Sequence, residues 1–211
     1  IPGLSKKYKL IIPDAPGLGR SEHADSVMTY PLMAIYYSKM IDILKLDSAY
    51  VMGWSDGGIA ALLLGKNRPD KIKKIISVGP NYRADGMVKE EIAFTKDSFC
   101  NIDWFETHMK GWIDNYKKIS PQGNWKRYIS EAKNMWLQEQ YFPKSDLGTI
   151  QAPTLIVLGD HDLYTLVHGI DMYHALPKGQ FCVLPATTHY VFSEQPNLID
   201  QITINFLTNK K

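Results

Sequence analysis

The chain has 211 residues, of which 45% are hydrophobic and 22% charged, and its formal net charge is +2 at pH 7. This length predicts one domain with room for an inserted subdomain. Because the charge is small and the lysine pairs are scattered, the composition argues against a nucleic-acid-binding surface or an anionic-membrane surface.

Cysteine content and hydropathy bear on the compartment. The two cysteines, Cys100 and Cys182, show no metal-ligand spacing. We expect reduced thiols, which favours a reducing compartment, although a disulfide between them stays open. No segment has the pattern of a signal peptide or the length to span a bilayer, so we predict a cytoplasmic protein, although a removed signal stays open. We expect no metal or cofactor.

Apolar runs alternate with helical periodicities along the chain. In chain order, the patterns predict a strand at 8–12, a helix at 30–46, a strand at 49–54, a helix at 58–65, strands at 72–78 and 154–158, a helix at 166–175, a strand at 180–184 and a helix at 197–207. This alternation predicts the α/β class, with a mostly parallel sheet that carries helices on both faces.

The stretch between the third and fourth predicted strands has a different composition. Residues 84–147 are rich in aromatic and charged side chains at helical spacings, without a β-branched run. We interpret this stretch as an inserted helical cap. The predicted domains are therefore a core of residues 1–83 and 148–211 and a cap of residues 84–147.

One motif indicates chemistry, Gly53-Trp54-Ser55-Asp56-Gly57 between a predicted strand and a small-residue helix. A sharp strand-to-helix turn exposes the serine hydroxyl to a substrate. The same turn leaves little room for side chains two residues to either side, which explains the glycines at Gly53 and Gly57. The pattern predicts that Ser55 is a nucleophile. A glycine-rich turn with an incidental serine is the competing interpretation. A phosphate-binding loop is excluded, because neither Gly-Lys-Ser/Thr nor G-x-G-x-x-G occurs.

Four stretches together resemble the α/β-hydrolase superfamily, and most of all its small capped esterases related to valacyclovir hydrolase. They are residues 14–21, 53–58, 153–162 and 188–190. The resemblance implies a triad in the chain order serine, acid, histidine. It places the acid at Asp162, with Asp160 as the rival, and the base at His189. Either carboxylate could instead serve only to form the turn.

The resemblance also implies a role for each residue. His189 would accept the proton of Ser55, Asp162 would orient His189, and the backbone N–H of Asp56 would be one oxyanion-hole donor. We expect the Asp56 side chain to be an anion in the first turn of a helix. Asp14 and Arg20 are expected to shape a loop. The remaining histidines have weaker claims: His23, His108, His161, His168 and His174.

In the superfamily, further strands and a second oxyanion donor precede the position of Tyr8. We therefore expect the core to be N-terminally incomplete as given, with the second donor missing from this chain and one sheet edge unpaired. Such an edge favours homo-oligomers or association with a missing N-terminal segment.

These observations predict a serine hydrolase that cleaves a small, partly hydrophobic ester, thioester or activated amide through an acyl-enzyme. Serine as nucleophile argues against the epoxide-hydrolase and haloalkane-dehalogenase relatives, which use aspartate. Carbon–carbon bond hydrolase, iminopeptidase and perhydrolase activities share the triad and stay open. A non-enzymatic ligand-binding protein and an inactive fragment on a hydrolase scaffold also stay open.

Overall fold

The computed structural model describes residues 2–209, and among them the strands form one parallel four-stranded sheet. The strands are β1 Ala49–Trp54, β2 Ile72–Val78, β3 Thr154–His161 and β4 Gly179–Thr188, which pair in the order β1-β2-β3-β4. The predicted α/β class is confirmed. Residue 1 and residues 210–211 of the predicted core lie outside the described residues.

Helices connect the strands and precede and follow them. They are α1 Pro2–Ser5, α2 Tyr30–Ile43, α3 Asp56–Asn67, α4 Lys89–Phe94, α5 Ile102–His108, α6 Lys110–Ile119, α7 Trp125–Trp136, α8 Leu166–Ala175, α9 Val191–Glu194 and α10 Pro196–Thr208. Single turns of 3-10 or π geometry occur at Ala84–Gly86, Thr95–Phe99 and Lys144–Thr149. No helix in the described range has the length and apolarity needed to cross a membrane.

Both faces of the sheet are covered, because its strands are apolar at consecutive positions. Ile75 packs with α2, α3 and α8 on one face. Its neighbour Ile76 packs on the other face, against α9 and α10. Successive strand residues point to opposite faces, so a continuous apolar run needs helices on each side. Because all four strands are parallel, their carboxyl ends meet at one edge of the sheet. The candidate site residues lie at this edge.

The stretch between β2 and β3 is helical, as predicted. Helices α4 to α7 lie here, and part of this stretch has an apolar cluster of its own, built from Phe105, Ile113, Tyr116, Trp125 and Ile129. The side chains of this cluster are aromatic or β-branched and occur at helical spacings, so each helix buries one face against the others. The cap boundaries at residues 84 and 147 stay a prediction.

The predicted strand at 8–12 is wrong. Residues 9–15 have no helix or strand geometry, and Ile12 is 70% exposed. Residues 9–13 and β1 line a groove of about 600 Å³. The apolar run therefore forms no ladder with β1, which is an edge strand of the described sheet. Hydrophobicity predicted the strand, but a strand also needs a neighbour for its backbone hydrogen bonds.

Several element boundaries also differ from the prediction. The helix predicted to end at 46 ends at Ile43, because Lys45 adopts φ = 52°, which closes the helix. The last strand continues beyond its apolar run to Thr188, where it pairs with His161 of β3. Both cysteines are free thiols, and burial raises the pKa of Cys100 to about 11.

Candidate active site

Ser55 lies in the sharp turn between β1 and α3. Its φ of 54° and ψ of −122° are strained for a residue with a side chain, typically by about 1–3 kcal/mol. Hydrogen bonds hold the turn on both sides. The Ser55 N–H donates to the carbonyl of Val78 on β2 at 2.8 Å, and the Ser55 carbonyl accepts from Gly58 and Ile59 in α3. The turn thus presents the side chain at the carboxyl edge of the sheet.

Glycine is required at one of the two predicted positions. A Cβ at Gly53 would lie 2.0 Å from the carbonyl oxygen of Gly57, so β1 and α3 approach too closely for any side chain there. A Cβ at Gly57 would meet nothing within 4 Å. The expectation that crowding requires both glycines therefore holds for Gly53 alone.

Asp162 and His189 form a buried pair beside this turn. The Nδ1 atom of His189 lies 2.8 Å from Oδ1 of Asp162, and both side chains are almost fully buried. Backbone N–H groups of Gly159 and Tyr164 also donate to the Asp162 carboxylate. This contact suits the tautomer with the proton on Nδ1, which donates to the carboxylate and leaves the lone pair on Nε2.

Asp160 has different surroundings from Asp162. Its carboxylate accepts the N–H groups of Ala186 and Thr187 at 3.0 and 2.9 Å and lies 2.8 Å from Nδ1 of His161. The backbone donors, with His161, lower the pKa of Asp160 to about 2. Asp160 thus ties the end of β3 to the end of β4, and the structure places Asp162 next to His189.

The ends of β1 and β4 bring His189 close to the Ser55 turn. The Trp54 indole N–H donates to the His189 carbonyl at 2.8 Å, and the two rings lie 5.3 Å apart. Gly79 (φ = 58°) leaves room for His189, since a Cβ there would lie 2.7 Å from Cε1. Among the described residues, Ser55 Oγ makes no direct hydrogen bond to His189. Catalytic hydrogen bonds are often long until substrate binds.

The side chain of Asp56 is more than an anion of the first helical turn. It is half-buried, and it accepts hydrogen bonds from the Tyr30 hydroxyl at 2.8 Å and from the Trp136 indole N–H at 2.9 Å. Burial raises the pKa of Asp56, and the two hydrogen bonds partly offset that rise. Asp56 therefore connects α2 and α7 to the start of α3, directly after Ser55.

The other histidines and the early loop have structural contacts. His23 lies near Glu131, Asn124 and Tyr116, and His168 accepts from the backbone N–H of Tyr82. His108, His161 and His174 are exposed. The Asp14 carboxylate accepts the Arg20 N–H at 2.9 Å, which shapes the loop as expected. No group of residues in the range 2–209 has the make-up of a metal site.

The buried side chain of His168 is expected to make the free energy of unfolding depend on pH. Burial lowers its pKa to about 4, against about 6.5 in an unfolded chain. Between these values the unfolded state binds a proton that the folded state does not, so the free energy of unfolding falls as pH drops from about 6.5 to 4, by at most ~3 kcal/mol. Urea denaturation at pH 7.5, 5.5 and 4.5 measures this fall.

The variant His168→Gln is expected to flatten that pH dependence, because the titrating group is removed. His174→Gln, on the same helix but exposed, is the matched control and should keep the wild-type slope. A wild-type slope in His168→Gln would show that other groups cause the acid sensitivity.

Two contributors to the site were missed at the level of sequence. Tyr164, two residues after Asp162, contacts His189 edge-on with ring centroids 5.5 Å apart. Tyr30 begins α2 and reaches Asp56. The position of Tyr164 beside the predicted acid is a signal that could have pointed to it. Nothing local to Tyr30 indicates a partner 26 residues away.

The four-stranded parallel sheet, its helical layers and the strained strand-to-helix turn at Ser55 together define an α/β-hydrolase fold. A family model described as alpha/beta hydrolase fold matches residues 1–96.

Relatives in sequence and structure agree with that assignment. A 2-hydroxy-6-oxononadienedioate/2-hydroxy-6-oxononatrienedioate hydrolase from Comamonas testosteroni is 26% identical, with 99% of this chain and 80% of that protein aligned. The human serine hydrolase BPHL is 24% identical, with 97% of this chain and 71% of that protein aligned. The solved meta-cleavage product hydrolase CumD of Pseudomonas fluorescens shares the fold, with a TM-score of 0.75 at 16% identity over 98% of this chain and 82% of that one. The resemblance to α/β hydrolases is confirmed, and the chain has the α/β-hydrolase fold.

Proposed function

We propose that the protein is a serine hydrolase that cleaves a small, partly hydrophobic ester through an acyl-enzyme on Ser55. The observation that carries the proposal is a strained serine at the end of β1 beside a buried Asp162–His189 pair. A hydroxyl is a weak nucleophile on its own and needs a base that a third group orients. These three residues have the types that this chemistry needs, and the same edge of the sheet carries them.

Each residue has one role in the proposed reaction. Nε2 of His189 takes the proton of Ser55 as the hydroxyl attacks the acyl carbon, and later delivers it to the leaving alcohol. Asp162 holds the ring through Nδ1 and stabilises its cation. The backbone N–H of Asp56, in the first turn of α3 where N–H groups have no intrahelical acceptor, stabilises the oxyanion. Water then releases the acid by the reverse proton path.

Aromatic side chains favour a partly hydrophobic substrate. Trp54 stands beside His189, with Tyr190 and Phe192 next to it. Tyr30 and Trp136 flank Asp56 on the other side of Ser55. Such side chains offer an acyl group apolar contact area next to Ser55.

Carbon–carbon bond hydrolysis is the second candidate, and the relatives favour it. The Comamonas protein carries the name of a hydrolase of 2-hydroxy-6-oxo dienedioates, which are anionic at both ends. Against it stands the half-buried carboxyl of Asp56, next to the nucleophile, because an ionised carboxylate there would repel a substrate carboxylate. We therefore rank ester cleavage first.

A substrate comparison separates these two candidates. We expect the purified protein to hydrolyse p-nitrophenyl acetate and butyrate faster than octanoate, and to react slowly with 2-hydroxy-6-oxo-6-phenylhexa-2,4-dienoate. Turnover of the dienoate with a kcat/KM well above that of every ester would favour carbon–carbon cleavage. A folded protein that turns over neither class and does not react with a fluorophosphonate would contradict both, and favour a binding protein.

A further inference from the structure

Tyr164 contacts all three residues of the proposed triad. Its side chain lies close enough to the Ser55 side chain to interact with it. Its ring meets the His189 ring edge-on at 5.5 Å, and its backbone N–H donates to Oδ1 of Asp162 at 3.4 Å. The side chain is 7% exposed. The proposed roles of the triad leave this buried hydroxyl unused.

The backbone around Tyr164 is held in place from both directions. Tyr164 forms an antiparallel bridge with Met87. The neighbouring hydrogen bonds run from Val88 N–H to the Leu163 carbonyl and from Thr165 N–H to the Gly86 carbonyl, each 2.9 Å long. Thr165 then caps α8. A hydroxyl on such a segment keeps its position without a large entropic cost at the moment of reaction.

The phenol remains a donor over the working pH range. Burial raises the pKa of Tyr164 well above its usual value, and the neighbouring Tyr141, Asp56 and Asp162 add to the rise. A phenol that stays protonated donates a hydrogen bond and does not compete with His189 as a base.

We propose that Tyr164 is a catalytic residue whose hydroxyl donates a hydrogen bond to the substrate oxygen that becomes the oxyanion when Ser55 attacks. The proposal rests on the proposed acyl-enzyme function. Because Tyr164 lies beside Ser55, His189 and Asp162, its hydroxyl is placed to reach an oxygen on the carbon that bonds to Ser55. The proton stays on the phenol throughout, so Tyr164 adds a neutral donor to the N–H of Asp56. A donor aimed at developing charge acts mainly on kcat.

The test is Tyr164→Phe, which keeps the ring against His189 and removes the hydroxyl. We expect kcat for p-nitrophenyl butyrate to fall about 100-fold, with KM changed less than threefold. The shape of the pH–rate profile should stay as in the wild type, because no charge is removed. Tyr173→Phe, a half-buried tyrosine on α8, is the matched control and should keep wild-type kcat.

Two further measurements separate a catalytic hydroxyl from a structural one. A trifluoromethyl ketone, which forms a tetrahedral adduct with serine, should bind Tyr164→Phe more weakly by about the factor lost in kcat/KM. Tyr164→His, which keeps a ring and an N–H donor, should be more active than Tyr164→Phe. Equal activity in the two variants, or unchanged ketone binding, would overturn the proposal.

Failure of this proposal is distinguishable from failure of the proposed function. Wild-type protein that hydrolyses the ester, together with a Tyr164→Phe variant within threefold of its kcat, overturns the role of Tyr164 alone. Wild-type protein that neither hydrolyses the ester nor reacts with a fluorophosphonate overturns the acyl-enzyme itself, and the role of Tyr164 with it.

Discussion

Replacing Ser55 by alanine is expected to lower kcat for p-nitrophenyl butyrate by about 10⁴-fold or more, and to abolish covalent labelling by a fluorophosphonate. The substitution removes the only oxygen that could bond to the acyl group in the proposed reaction. Alanine faces the same backbone strain at φ = 54° as serine, so the midpoint of thermal unfolding should change little.

The measurement pairs steady-state kinetics with mass spectrometry of the labelled peptide. Ser130→Ala is the matched control, because Ser130 lies exposed on α7 and its hydroxyl bonds only the Lys126 carbonyl. It should keep wild-type rate and labelling. Labelling that persists in Ser55→Ala, or that maps to another residue in the wild type, would remove Ser55 from the mechanism.

Replacing Asp162 by asparagine is expected to lower kcat by about 10⁴-fold. The amide can turn its NH₂ group toward Nδ1 of His189, which then holds its proton on Nε2 and cannot accept one from Ser55. The loss should appear in kcat more than in KM, because the substrate pocket keeps its shape.

Asp160→Asn is the matched control for that variant, two residues away. The amide carbonyl can still accept an N–H from Ala186 or Thr187, so we expect kcat within a few-fold of the wild type. The substitution should instead lower the midpoint of thermal unfolding, because Asp160 holds the loop that leads into His189. A large loss of kcat in Asp160→Asn with little loss in Asp162→Asn would reverse the assignment of the acid.

The sheet and the turn can be predicted because their signals are local. The apolar runs of β1 and β2 predict these strands with their boundaries, since a strand buried on both faces must be apolar at consecutive positions. Gly53 and Ser55 are identifiable because a strained strand-to-helix turn restricts which residues can stand there. The apolar run at 8–12 misleads for a related reason, because pairing depends on a neighbour that hydrophobicity does not reveal.

Sequence patterns by themselves determined the α/β class and the sharp turn at Ser55, and the resemblance to α/β hydrolases added Asp162, with Asp160 as rival, and His189 as candidates for acid and base. Only the tertiary structure distinguishes the surroundings of the two carboxylates in this loop, since Asp162 faces His189 and Asp160 faces the backbone at the end of β4. It also placed Tyr164 beside His189 and Asp162, and Tyr30 and Trp136 on Asp56. These contacts join segments far apart in the chain, and their geometry follows from packing rather than from any local pattern.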